Sequence, residues 1–278
     1  MIAHAYDTRV IFGLCAFFGE NSIKENRTFI AICAAGYGRR RGDCMSQGKL
    51  GMRIGESVFC IGYLLFDLIA GIIFLVYRPG PVFLLYGIMT LLLGFGDAFH
   101  LVPRVIKHIK GESERVKWWM DFGLAVTSIT MTVFYVILLY IWKMLYESFN
   151  IDQAAPAIAG NQTISAFAAG CTGVIWSMAA ARIVLCLLPQ NDWFGNGNRK
   201  LSVCRNTIFS IIGIAEIVLF LMMGGTYGIT MAVCIFLSFL FYFPVTLYAK
   251  ENPKIGMLMI PKTIMYIIMI SLELAMLG

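Results

Sequence analysis

Charge is scarce in this chain. Only 14% of its 278 residues are Asp, Glu, Lys or Arg and 59% are hydrophobic, whereas a soluble domain carries about 25% charged residues. That balance excludes a soluble fold, because too few polar side chains remain to cover a water-facing surface. Histidine is scarcer still, at three residues, which excludes a His-rich metal centre. None of the eight cysteines sits in a CxxC pair or another metal-ligand spacing. Most lie in apolar runs, where Cys acts as a small hydrophobe, so no structural disulfide, metal or cofactor is expected. The chain also lacks any catalytic motif of high specificity, and enzyme activity stays open. A net charge of +6 would suggest nucleic acid in a soluble domain. In a membrane protein the same excess of Lys and Arg belongs to cytoplasmic loops, so no nucleic-acid partner is expected.

What fills the chain is apolar sequence in membrane-length pieces. Seven stretches, at 54–77, 81–103, 118–143, 163–188, 205–223, 228–248 and 255–277, each approach or exceed the roughly 20 residues that cross hydrocarbon as a helix. The expected fold class is an all-α integral membrane protein, one bundle of seven transmembrane helices over residues 54–278. Short connections at Arg78-Pro79-Gly80-Pro81 and Gly224-Gly225-Thr226-Tyr227 make spans one and two, and five and six, antiparallel neighbours. Residues 1–53 differ. Their apolar runs, Val10 to Phe18 and Phe29 to Tyr37, are too short to span and are followed by Arg39, Arg40 and Arg41. The segment reads as a poorly structured extension, or as an over-long reading frame whose start is Met45 or Met52.

Loop charge sets the expected orientation. Basic residues crowd the 104–117 connection (Arg104, Lys107, Lys110, Arg115, Lys117), the 189–204 connection (Arg199, Lys200) and the 249–254 connection (Lys250, Lys254). These alternate with the acidic 144–162 loop and the two tight turns. The pattern places the amino terminus in the cytoplasm and the carboxyl terminus outside, in the cell membrane. Span four is rich in small residues, including Ala169, Gly170, Gly173 and Ala180, which let helices approach closely; a central position is expected for it. Pro244 and Pro261 are expected to kink spans six and seven.

Ionisable residues inside the spans are the functional signal, since each costs roughly 2.5 kcal/mol or more at the bilayer centre unless it finds a partner or water. Asp97, His100 and Arg104 are spaced i, i+3 and i+7, one stripe on one face of span two. Arg182 and Lys262 each lie about two turns from the cytoplasmic ends of spans four and seven, Arg205 and Asn206 open span five, and Glu216 and Asp67 lie deeper. On the expected topology these nine residues converge on one polar pocket facing the cytoplasm. The stripe is expected to turn toward spans four, five or seven, with Arg182 in ion-pair or one-water reach of an intramembrane carboxylate, Asp97 or Glu216. A basic pocket between helices suits lipid headgroups or other anions, so the partners expected are membrane lipids and an anionic small molecule or lysolipid. The alternative function is a metal-independent intramembrane lipid hydrolase using Asp97. The connection from Leu188 to Phe194 reads as an interfacial Trp anchor or a lip of the same pocket.

Gly96-Asp97 in its apolar surroundings, on an early helix of a seven- or eight-helix protein, resembles the YhhN-type lysoplasmalogenase family. That resemblance implies intramembrane carboxylates serving hydrolysis of a lysolipid vinyl ether, with Asp97 in the acidic position and Glu216 as a loose counterpart of the second. Helix count is also similar to that of alkaline ceramidase and adiponectin receptor type hydrolases, but their zinc site needs several His ligands and only His100 lies within a span here. Lys262 in the seventh helix resembles the Schiff-base lysine of retinal proteins.

Overall fold

A computed structural model describes residues 47–77, 80–152, 162–195, 197–248 and 253–275. Among them are seven helices long and apolar enough to cross a membrane. They are α1 (Gln47–Tyr77), α2 (Pro81–Lys110), α3 (Glu114–Asp152), α4 (Gln162–Leu187), α5 (Arg199–Met223), α6 (Gly225–Tyr248) and α7 (Met259–Leu274). Short 3-10 turns, Pro189–Asn191 and Pro253–Leu258, precede α5 and α7, and no strand occurs among the described residues. The expectations for residues 1–46, for 153–161 of the 144–162 loop and for Lys250 lie outside the described residues, while the first part of that loop is helix, α3 running on to Asp152.

Several helices outrun the apolar stretches that announced them. α1 already begins at Gln47, before the expected boundary at 54, and α2 continues through Pro103 to Lys110. The basic connection expected over 104–117 is therefore mostly helix, reduced to residues 111–113. Lys and Arg are good helix formers, so a helix leaving hydrocarbon has no reason to stop at its first charge. It stops where Gly111 adopts φ 87° and its N–H caps the Lys107 carbonyl. Pro244 lies inside α6, whereas Pro261 falls in the first turn of α7, where no intrahelical donor is lost.

Consecutive helices pack side by side, and α7 returns to α1 to close the bundle. α3 also reaches α5, and its Phe134, Tyr135, Leu138 and Ile141 are fully buried. α3, not α4, is thus the central helix. Gly170 and Gly173 of α4 face open space, and α4 is the least buried of the seven spans; its small residues point toward lipid. Close approach occurs instead between α2 and α3, where a Cβ on Gly123 would lie 2.6 Å from backbone atoms of Phe99 and His100.

Candidate functional site

Alternating helix direction gathers the ends of α2, α4 and α6 with the starts of α1, α3, α5 and α7. This basic end holds most of the polar residues, in two clusters.

The first cluster joins α1, α2 and α3. Tyr63 Oη donates to Asp97 Oδ2 at 2.9 Å, and Asp67, one turn along α1 from Tyr63, is an electrostatic neighbour of both. Asp67 is fully buried with neither oxygen hydrogen-bonded among the described residues. Gly94 makes room for it, since a Cβ there would lie 2.8 Å from Asp67 Cβ. His100 Nδ1 is 3.0 Å from Thr127 Oγ1, and that hydroxyl donates to the Gly96 carbonyl at 3.0 Å. With the Thr127 proton committed, His100 Nδ1 is the donor of the pair. Arg104 closes the stripe with a 2.6 Å ion pair to Glu56 of α1. His108, one turn further, sits 3.1 Å from Ser57 Oγ.

The second cluster joins α3 to α7. Arg182 on α4 is buried, its guanidinium 3.8 Å from the centre of the Phe209 ring and one Nη donating to Thr132 Oγ1 at 2.5 Å. Arg205 on α5 lies 4.0 Å over the Trp193 ring. Asn206 accepts from Tyr242 Oη at 2.9 Å. Lys262 Nζ stands 5.1 Å from the Tyr242 ring and 5.2 Å from the Tyr266 ring, and Tyr266 Oη accepts from Ser238 at 3.0 Å. These cations rest on aromatic faces, an attraction of about 0.5–2 kcal/mol each.

Three expectations are corrected. The Asp97, His100 and Arg104 stripe makes its hydrogen bonds and ion pair with α1 and α3 rather than with α4 or α5, while Arg104 also approaches span seven, its Nη2 3.9 Å from where a Cβ on Gly256 would lie. Arg182 pairs with a hydroxyl and a ring, and no carboxylate lies within 4.0 Å of it among the described residues. The nine residues fall into two clusters, with Glu216 apart from both: an edge-to-face contact of Phe134 with Tyr266 joins α3 to α7 across the bundle, between the α1/α2 side and the α4/α5/α6 side. His100 is the bridge between them, within electrostatic range of Lys262.

Glu216 belongs to neither cluster. It lies about 16 Å along α5 from Arg205, fully buried, without a hydrogen bond among the described residues and near Cys171. Glu273, toward the other end, neighbours the bonded hydroxyls of Tyr86 and Tyr227. An open groove of about 280 Å³ runs between α1 and the end of α7, but Leu65, Phe66, Ile69, Ile73 and Leu274 make it apolar; it is not the polar pocket expected.

The partners of these charges were the part that sequence reasoning missed. Tyr63 and Asp67, and Lys262 and Tyr266, are spaced i, i+4, a signal that places each pair on one helix face. Asn191 and Trp193 fasten the connection to the end of α4, and the Trp193 ring also carries Arg205. The Asn191 amide caps the end of α4 through the Leu185 and Leu188 carbonyls at 2.6 and 2.7 Å, and Trp193 Nε1 donates to Cys186 O at 3.1 Å.

Seven apolar spans with charges held between them define a polytopic helical membrane protein. No family model, no curated protein and no solved structure matches the chain, and function beyond that class rests on the side chains themselves.

Proposed function

We propose that the protein binds or transports an anionic small molecule or lipid headgroup at its basic end, among α3 to α7. The observation that carries this reading is uncompensated positive charge. Arg182, Arg205 and Lys262 are 2%, 8% and 6% exposed, and among the described residues no carboxylate lies within 4.0 Å of any of them. Aromatic faces offset part of the cost of burying each cation, and an anion would offset the rest. By the positive-inside pattern the site faces the cytoplasm, and the cell membrane is the membrane proposed. Lys262→Met tests the reading. Lipids and metabolites that co-purify with the native chain should include an anion that the folded variant has lost. Equal retention by both would make Lys262 a structural residue and overturn the assignment.

A second reading has its own observation in its favour. A metal-independent lipid hydrolase needs a second deep carboxylate beside Asp97, and Asp67, not Glu216, occupies that place. Asp97 would act as general base on water and His100 would orient or shuttle the proton; this is the chemistry that the YhhN-type resemblance implies. Lysolipid hydrolysis that disappears in Asp97→Asn would support it, and its absence from the native protein in lysolipid micelles would eliminate it.

A further inference from the structure

The anion proposed above has a chemical class, and the unused donors of the second cluster point to it. Arg182 is committed through one Nη to Thr132, yet among the described residues its Nε has no acceptor and neither has Nη1 of Arg205. Both side chains are more than nine-tenths buried. Buried guanidinium N–H groups are almost always hydrogen-bonded, and those left over need an explanation. Each guanidinium is held flat against a ring, Phe209 under Arg182 and Trp193 under Arg205, and Arg205 and Phe209 are spaced i, i+4 on α5, which places the ring under Arg182 one turn from Arg205 on the same helix face. Neither fork is free to swing out to water, so the donors wait at fixed positions. Asn206, next to Arg205 on α5, spends its carbonyl oxygen on Tyr242, which leaves its NH2 as a further donor.

Three properties narrow the ligand. Fixed, planar, multi-donor forks match an oxyanion with several oxygens, and a halide would satisfy one donor at a time. Three cations without a carboxylate partner among the described residues match a double negative charge better than a single one, because a monoanion leaves two cations uncompensated in a weakly polar site. Depth is the third. Arg182 lies about 8 Å from the end of α4 and Arg205 about 9 Å from the start of α5, close to the headgroup layer and within reach of either a lipid phosphate or a solute.

We propose that Arg182 and Arg205 together hold a phosphoryl group, with Lys262 behind the Tyr242 ring supplying the third positive charge. This rests on the anion reading and commits it to phosphate chemistry. Inorganic phosphate and the headgroup of a phosphomonoester lipid both carry such a group, and the experiment separates the two sources.

The full chain, purified in detergent, would be titrated with radiolabelled inorganic phosphate. Reconstituted into nanodiscs of phosphatidylcholine with and without phosphatidic acid, it would be analysed for retained lipid by native mass spectrometry. Chloride and acetate serve as competing anions. Saturable binding of phosphate identifies a solute source and selective retention of phosphatidic acid a lipid source, and either supports the proposal. Arg182→Gln and Arg205→Gln should each weaken that binding by about tenfold or more, as expected for lost charge-assisted hydrogen bonds. Arg182→Lys keeps the charge but loses the fork. It should stay several-fold weaker than the native chain while unfolding at the same temperature, an outcome that a merely structural arginine would not give. Chloride or acetate competing as well as phosphate would overturn the phosphoryl assignment and leave the anion reading standing. Binding of none of these anions by folded protein would overturn both.

Discussion

At Glu216 a fully buried carboxyl group has neither oxygen hydrogen-bonded among the described residues. A charge in such a place costs far more than a neutral polar group, so Glu216→Gln should leave the midpoint of thermal unfolding in detergent unchanged or raise it. A fall of several degrees would mean that a partner requires the carboxylate. Asp97 is the opposite case, because it accepts the Tyr63 hydroxyl. Asp97→Asn keeps an accepting oxygen and should change stability by less than about 1 kcal/mol, whereas Asp97→Leu strands a buried hydroxyl and should cost about 1–3 kcal/mol. Equal losses in the two variants would show that charge, not the hydrogen bond, is what the fold uses there. The stripe that places Asp97 was legible from its spacing; the hydroxyl that receives it was not, because Tyr63 lies 34 positions away.

Between elements, contact distance rather than hydrophobicity decides which glycines matter. A Cβ on Gly123 would meet the α2 backbone at Phe99 and His100 at 2.6 Å, and backbone cannot step aside as a flexible side chain does. Gly123→Ala should therefore push α3 from α2 and destabilise the protein by about 1–3 kcal/mol, with His100 losing Thr127 as the helices part. Gly170 on α4 has nothing within 4 Å of its would-be Cβ. Gly170→Ala should be neutral or slightly stabilising, since Ala is the better helix former by about 1 kcal/mol. Thermal unfolding of the two variants side by side measures the contrast. If both lost the same stability, α4 would be packed against something after all, and its small residues would have the central role that the sequence suggested.

For the whole molecule, sidedness is the property on which the functional reading hangs. Glu112, in the short connection between α2 and α3, and Ser148, near the far end of α3, are both exposed. They lie at opposite ends of one helix about 50 Å long between them. In a cysteine-free background, Glu112→Cys should react with an impermeant thiol reagent only from the cytoplasmic side and Ser148→Cys only from the other. Reaction of both from one side would refute a spanning α3, and the reverse assignment would put the basic cluster outside the cell.

The number of spans, their alternation and the concentration of cations at one end follow from the chain alone. Lipid imposes conditions on a single segment, the length of an apolar run and the charge of its flanks, that do not depend on any neighbour. Tertiary structure decided everything that depends on how each helix is rotated. It turned Asp97 and Arg104 toward α1, paired Arg182 with Thr132 and Phe209, set Asp67 beside Asp97 in place of Glu216, and left α4 at the periphery. In a soluble helix the polar face marks the outside. In a membrane bundle the lipid-facing and core-facing sides are both apolar, so helix rotation leaves little trace in the sequence and is settled only when the seven helices pack.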